Sequence, residues 1–216
     1  NNELESFTYT VSHDLKAPIR GIHNVVKWIE EDLGDEISPQ MKRYLSIIPQ
    51  RTKRMENLIN GLLDYARLRE KIKPEMTDVN EMVREIVDAV VPRNFKVEIN
   101  PLPVFATERL RLEQVMTNLI SNAVKYTASE NGEITISCKT FPTYYEFAVK
   151  DNGIGIEADY HEKIFELFQT LREKDEKEST GIGLAIIKKI IDDLHCSIRV
   201  NSSLGAGAEF VFTWPR

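Results

Sequence analysis

The sequence is poor in cysteine, in long apolar runs and in excess positive charge, and each shortage closes a class of function. Only two cysteines occur, Cys138 and Cys196, without the paired spacing of a metal site or a disulfide framework, so a reducing cytoplasm is the expected compartment. No apolar run approaches the ~18 to 20 residues needed to cross a bilayer, and no signal peptide is visible, so no membrane contact is expected of this fragment. The net charge of -6 and the apparent pI near 5.4 give no basic field for nucleic acid or an anionic membrane. Any polyanion must therefore be held by local donors. The start at Asn1 without a methionine reads as an excised fragment.

What is present divides into two parts. Leu4, Val11, Pro18 and Val25 recur every seven residues, with Leu15, Ile22 and Ile29 in a neighbouring register, the pattern of a helix seeking helical partners. "GDEISP" breaks it, with Ser38 as N-cap and Pro39 at the first position of a second helix. Met41, Ile48, Met55 and Leu62 again step by seven, widened by Leu45, Leu58, Ile59, Tyr65 and Ala66. Two helices cannot cover such stripes alone, so residues 1–72 are expected to form an antiparallel hairpin that dimerises into a four-helix bundle. Pro18 and Pro49 remove the hydrogen bonds to the carbonyls of Asp14 and Leu45, and because the stripes continue past both, bends are expected and not breaks.

After a boundary at 72/73 the pattern becomes mixed: helices near 79–91, 108–125, 160–169 and 181–195, and strands at "FKVEI", "EITISCKT", "YYEFAVKD", "SIRVNS" and "AEFVFTW". With a hydrophobic fraction of 42%, residues 73–216 can fill a core and read as an α+β two-layer sandwich.

Three short segments in that part carry chemistry. In "NLISNAVKYT", Asn118, Asn122 and Lys125 at i, i+4 and i+7 share one helix face. Carboxamide oxygens are hard neutral ligands suited to Mg2+, and a lysine beside them neutralises phosphate. "DNGIGI" at 151–156 ends a strand with a carboxylate and two glycines that allow a ligand close to the backbone. "STGIGLAIIKK" sets Gly181 and Gly183 before an apolar helix, where backbone N–H groups meet anions.

In the order "SHDLKAP", "NLISNAVKYT", "DNGIGI", "KIFELF", "TGIGLA", "GAGAEF", essentially the whole chain resembles the histidine kinases, and within them the phytochrome-type subgroup. The resemblance implies a phosphoacceptor hairpin followed by an ATP-binding domain of the gyrase, mismatch-repair and chaperone type. It implies ATP-dependent autophosphorylation of His13, then transfer to an aspartate of a response-regulator receiver domain. Asp151 would accept from the adenine amino group, Asn122 and Asn118 would hold Mg2+, Lys125 would meet phosphates and Tyr126 would pack near the base. Gly153, Gly155, Gly181 and Gly183, with Thr180 and Leu184, would shape the pocket, and "QTLREKDEKES" would be its lid, its Arg172, Lys174 and Lys177 read as mostly solvated though long enough to reach phosphate. Asp14 is the candidate acceptor for the proton on the second imidazole nitrogen of His13, in a turn that Pro18 loosens. His23, His161 and His195 lack such surroundings.

The chain departs from the family at several points. Ala17 replaces the threonine or asparagine that positions a water in relatives with phosphatase activity, Lys16 stands for a frequent arginine, Ser179 for a glycine and Ala208 for a serine or threonine. A nucleotide hydrolase of the chaperone type would need a glutamate one turn before the metal-binding Asn122, and this sequence has Asn118 there. A non-catalytic nucleotide-binding scaffold would not need His13.

Overall fold

The computed structural model describes residues 2–34, 37–67, 73–127, 131–169 and 180–216; the side chains of residues 2–14 and 64–67 lie outside the description. Two long helices, α1 (Asn2–Leu33) and α2 (Pro39–Arg67), form the hairpin. Pro39 opens α2, and Ser38 caps it, its Oγ accepting from the N–H of Met41 at 3.2 Å. Both helices run unbroken through Pro18 and Pro49. Val26 of α1 and Leu45 of α2 are buried together with Ile37, flanked by Ile29 and Ile48.

That small cluster leaves the heptad stripes open. Leu15, Ile22 and Val25 on α1, and Met41, Met55 and Leu62 on α2, are each 40 to 49% exposed. Full burial of one such side chain is worth about 1.5–3 kcal/mol, so the uncovered face is a strong driving force for association.

The second part is built on a five-stranded sheet. In chain order come β1 (Glu75–Asp78), α3 (Val79–Val90), β2 (Lys96–Ile99), β3 (Val104–Thr107), α4 (Arg109–Tyr126), β4 (Glu133–Thr140), β5 (Tyr144–Asp151), α5 (Gly183–Asp193), β6 (Ile198–Ser202) and β7 (Ala208–Pro215). The sheet order is β2-β4-β5-β7-β6, with β2 parallel to β4 and the other pairs antiparallel; β1 and β3 form a separate antiparallel ribbon. Alternation on β5 buries Tyr145, Phe147 and Val149 on one side, where α3, α4 and α5 supply Met82, Val83, Leu112, Leu119, Ile187 and Ile190 to a single core. Asp78 caps α3, its Oδ1 accepting from the N–H of Glu81 at 3.1 Å.

Three expectations need correction. Residues 160–169 form no α-helix: the chain makes two 3-10 turns, Ala158–Tyr160 and Lys163–Phe165, and Phe168 then adopts a left-handed φ of 66° that ends any helical course. The helix read as 181–195 begins at Gly183 and ends at Asp193, leaving Gly181 in the preceding turn at φ 67°. The strands β1 and β3 add to those read from the sequence.

Candidate functional site

The cleft lies where α4, the segment following β5, the start of α5 and the start of β7 converge. Its walls are Asn122 and Tyr126 from α4, Asp151, Ile154, Gly155 and Ile156, then Ile164 and Gln169, Leu184, and Ala208 with Phe210. It is an open cleft, with about 570 Å³ of space among its walls that runs out into solvent. The lining is mostly apolar with few polar groups, which suits a flat heterocycle.

Asp151 is the last residue of β5 and only 7% exposed. Its Oδ1 accepts two backbone hydrogen bonds, from Gly153 at 2.8 Å and from Ala208 at 3.2 Å. Burial pushes its carboxyl pKa up, and these two donors pull in the other direction without cancelling the rise. The tight turn that delivers the Gly153 N–H depends on glycine: a Cβ there would lie 2.5 Å from the Tyr126 carbonyl and 2.8 Å from Asp151 Oδ1. Gly207, at φ 77°, likewise has no room for a Cβ, which would overlap the Asp151 carbonyl. Ala208 serves the carboxylate through its backbone, so the missing hydroxyl of a serine or threonine does not affect that bond.

The polar face of α4 is arranged as the i, i+4 spacing requires, but its members do not all reach the cleft wall. Asn122 does. Asn118 lies one turn earlier, its Nδ2 donating to the Gln114 carbonyl at 2.9 Å, while its Oδ1 lies 2.9 Å from where a Cβ on Gly183 would stand. The amide oxygen therefore faces the start of α5. Lys125 is turned toward Tyr126, its Nζ 5.3 Å from the ring centroid. Thr180 is half-buried, and Gly181 accepts from the N–H of Phe168 at 2.9 Å. Arg172, Lys174, Lys177 and Ser179 lie outside the described residues, as do the side chains of His13 and Asp14.

Several site residues escape the motif reading. Phe210 stands two residues after Ala208 on β7 and so shares its face, a period-two signal legible in "AEFVF". Ile154 and Ile156 sit inside "DNGIGI" and Ile164 inside "KIFELF", but no periodicity singles them out as lining, and Gln169 comes from irregular backbone with no signal at all. Thr127, the last letter of "NLISNAVKYT", holds its Oγ1 buried without a hydrogen-bond partner in the described structure. That Oγ1 and Asp151 Oδ1 both lie within 2.9 Å of the point that a Gly153 Cβ would occupy.

Other chemistries find little purchase. Burial pushes the Cys138 thiol up to about 12 and raises that of Cys196 against a Thr213 hydrogen bond, so both stay protonated at neutral pH. Among the described residues no group of three or more His, Cys, Asp or Glu could hold a metal ion. A divalent cation here would rest on amide oxygens and on phosphates, and the Asn122 carboxamide on the cleft wall, with that of Asn118 one turn earlier, fits that donor set.

Residues 107–216 match the family described as histidine kinase-, DNA gyrase B-, and HSP90-like ATPase, and residues 3–71 match the His Kinase A (phospho-acceptor) domain. Cyanobacterial phytochrome B of Nostoc sp. is 40% identical over 99% of this chain, which spans 29% of that relative. The methanogenesis regulatory histidine kinase FilI of Methanothrix harundinacea is 32% identical over 100% of this chain and 25% of its own length. The crystal structure of full-length ShkA in complex with AMPPNP superposes with a TM-score of 0.74 at 25% identity, covering 97% of this chain and 45% of that one. With an ATPase-type cleft behind a phospho-acceptor hairpin, matched in order along the sequence, the chain belongs to the sensor histidine kinases.

Proposed function

We propose that the chain phosphorylates His13 from ATP and passes the phosphoryl group to an aspartate of a response-regulator receiver domain, in the reducing cytoplasm. The observation that carries this reading is the buried Asp151 carboxylate, fixed through Oδ1 on the floor of an apolar cleft, in a chain whose other part matches a phospho-acceptor domain. Both backbone bonds end on Oδ1, which leaves Oδ2 to accept from the adenine amino group. Tyr126, Ile154, Leu184 and Phe210 enclose the base, Gly155 shapes the wall, and the N–H groups of the Gly181–Gly183 turn, with Thr180 and Lys125, serve the phosphates. Asn122 and Asn118 would hold Mg2+, which when bound neutralises phosphate charge.

In the transfer, one neutral imidazole nitrogen of His13 forms a bond to the γ-phosphorus. The bond from that phosphorus to the bridging oxygen breaks, and ADP leaves with its electron pair. The proton on the other imidazole nitrogen passes to Asp14. The unit boundary falls at 72/73, and the open stripes of α1 and α2 pair two copies into a four-helix bundle.

Incubation with γ-labelled ATP and Mg2+ tests the reading. The expected product is an acid-labile, base-stable protein phosphate, absent in Asn122→Ala. Release of inorganic phosphate without labelled protein makes the chain a hydrolase, and neither product makes it a scaffold.

Ala17 is exposed on α1, four residues and about one turn after His13, and its methyl cannot position a water for hydrolysis. The chain is therefore expected to leave a phosphorylated receiver domain intact over the period in which it labels itself. Rapid loss of receiver phosphate, followed by gel, would refute this.

A further inference from the structure

Gly61 stands inside α2, where glycine weakens a helix relative to alanine. Its surroundings give the reason. A Cβ at Gly61 would lie 3.1 Å from both Cδ1 and Cγ2 of Ile182 and 3.3 Å from its Cβ, tighter than ordinary packing. Ile182 is 1% exposed, and Leu58, one turn before Gly61 on α2, packs against the same ATPase core. The α2 backbone thus forms a notch that receives the isoleucine between Gly181 and Gly183, at the start of α5.

The height of this seat on the hairpin follows from the packing of Val26 with Leu45. Thirteen residues back from Val26 is position 13, and thirteen forward from Leu45 is Leu58. Antiparallel helices climb at the same rise per residue, so Leu58 comes close to the level of position 13, with Gly61 about one turn away. On the other side of the contact, Ile182 is two residues from Leu184, a wall of the cleft.

We propose that Gly61 and Ile182 are a positioning pair for phosphoryl transfer: the notch seats Ile182 so that the phosphate end of the cleft is held at the level of the phosphoacceptor turn. This rests on the autophosphorylation reading above. The pair acts through the placement of the α5 turn.

Gly61→Val, made in the whole chain, is expected to bind a fluorescent ATP analogue within about twofold of wild type while labelling itself about tenfold or more slowly at saturating ATP. Gly61→Ala should fall between the two. Ile182→Val removes the Cδ1 methyl that the new alanine meets, so the double variant Gly61→Ala with Ile182→Val should label faster than Gly61→Ala alone. Unchanged or faster labelling in Gly61→Val, a parallel loss of nucleotide affinity, or no recovery in the double variant overturns the positioning role. A wild type that binds nucleotide and never labels removes the underlying reading; a wild type that labels beside an indifferent Gly61→Val removes only the pair.

Discussion

His13→Gln is expected to abolish acid-labile phosphate on the protein, by about a thousandfold or more, with nucleotide affinity unchanged within about twofold. Glutamine is a good helix former, so α1 retains its course through position 13. What is lost is the nucleophile, because the lone pair of a carboxamide nitrogen is delocalised into its carbonyl. No other histidine can substitute. His23 is exposed on the same helix but ten residues away, about 15 Å along the axis. His161 lies with its Nε2 3.2 Å from the Ile156 carbonyl, and His195 follows α5 at φ 55°, on the far end of that helix from the Gly181–Gly183 turn. Residual labelling at wild-type rate, or phosphate traced by peptide mapping to another residue, would sink the assignment.

How much of this was legible in the residues depends on the range of the forces involved. The hairpin announced itself because its stripes repeat every seven residues over two long helices, and Ser38 and Pro39 mark the start of the second by local chemistry alone. The cleft was legible where a motif fixed a backbone, as at Asp151 with Gly153 and at Asn122; the helical spacing that pairs Asn118 with Asn122 did not show that Asn118 lies off the cleft wall. The 160–169 segment misled because Tyr160, Ile164, Phe165 and Phe168 have helical spacing. Of these only Ile164 is buried, and a single anchor does not sustain a helix against the left-handed Phe168. The four-residue strands β1 and β3 were too short to show a period: β1 buries a single side chain, Thr77, and β3 only Phe105 and Thr107. Gly61 looked like a weak spot in a helix; its partner is 121 residues further on, at Ile182, and no local rule connects positions so far apart.

Asp151→Asn is expected to lower nucleotide affinity about 10- to 100-fold while leaving the ligand-free protein at least as resistant to heat at pH 7. A hydrogen bond to a charged group is worth about 1.5–3 kcal/mol, and the asparagine Nδ2 would present a donor to the adenine amino group, itself a donor. Stability moves the other way because of the sign of the pKa shift. Burial raises the carboxyl above its unfolded value near 3.9, outweighing the N–H groups of Gly153 and Ala208. A folded pKa above the unfolded one contributes stability that is full below the unfolded value and is lost as pH rises through the folded value. At neutral pH the ionised side chain is therefore a net cost, and asparagine, neutral throughout, removes it while its Oδ1 still accepts both backbone bonds. Thermal melts across pH should show the variant's advantage at pH 7 and its disappearance in acid. Calorimetric titration with ATP should show wild-type affinity falling as pH drops through the raised carboxyl pKa, with the variant's residual affinity flat over the same window. A variant that melts lower at pH 7 would show that the carboxylate supports the fold, and one that binds ATP as tightly as wild type would show that it does not serve the ligand.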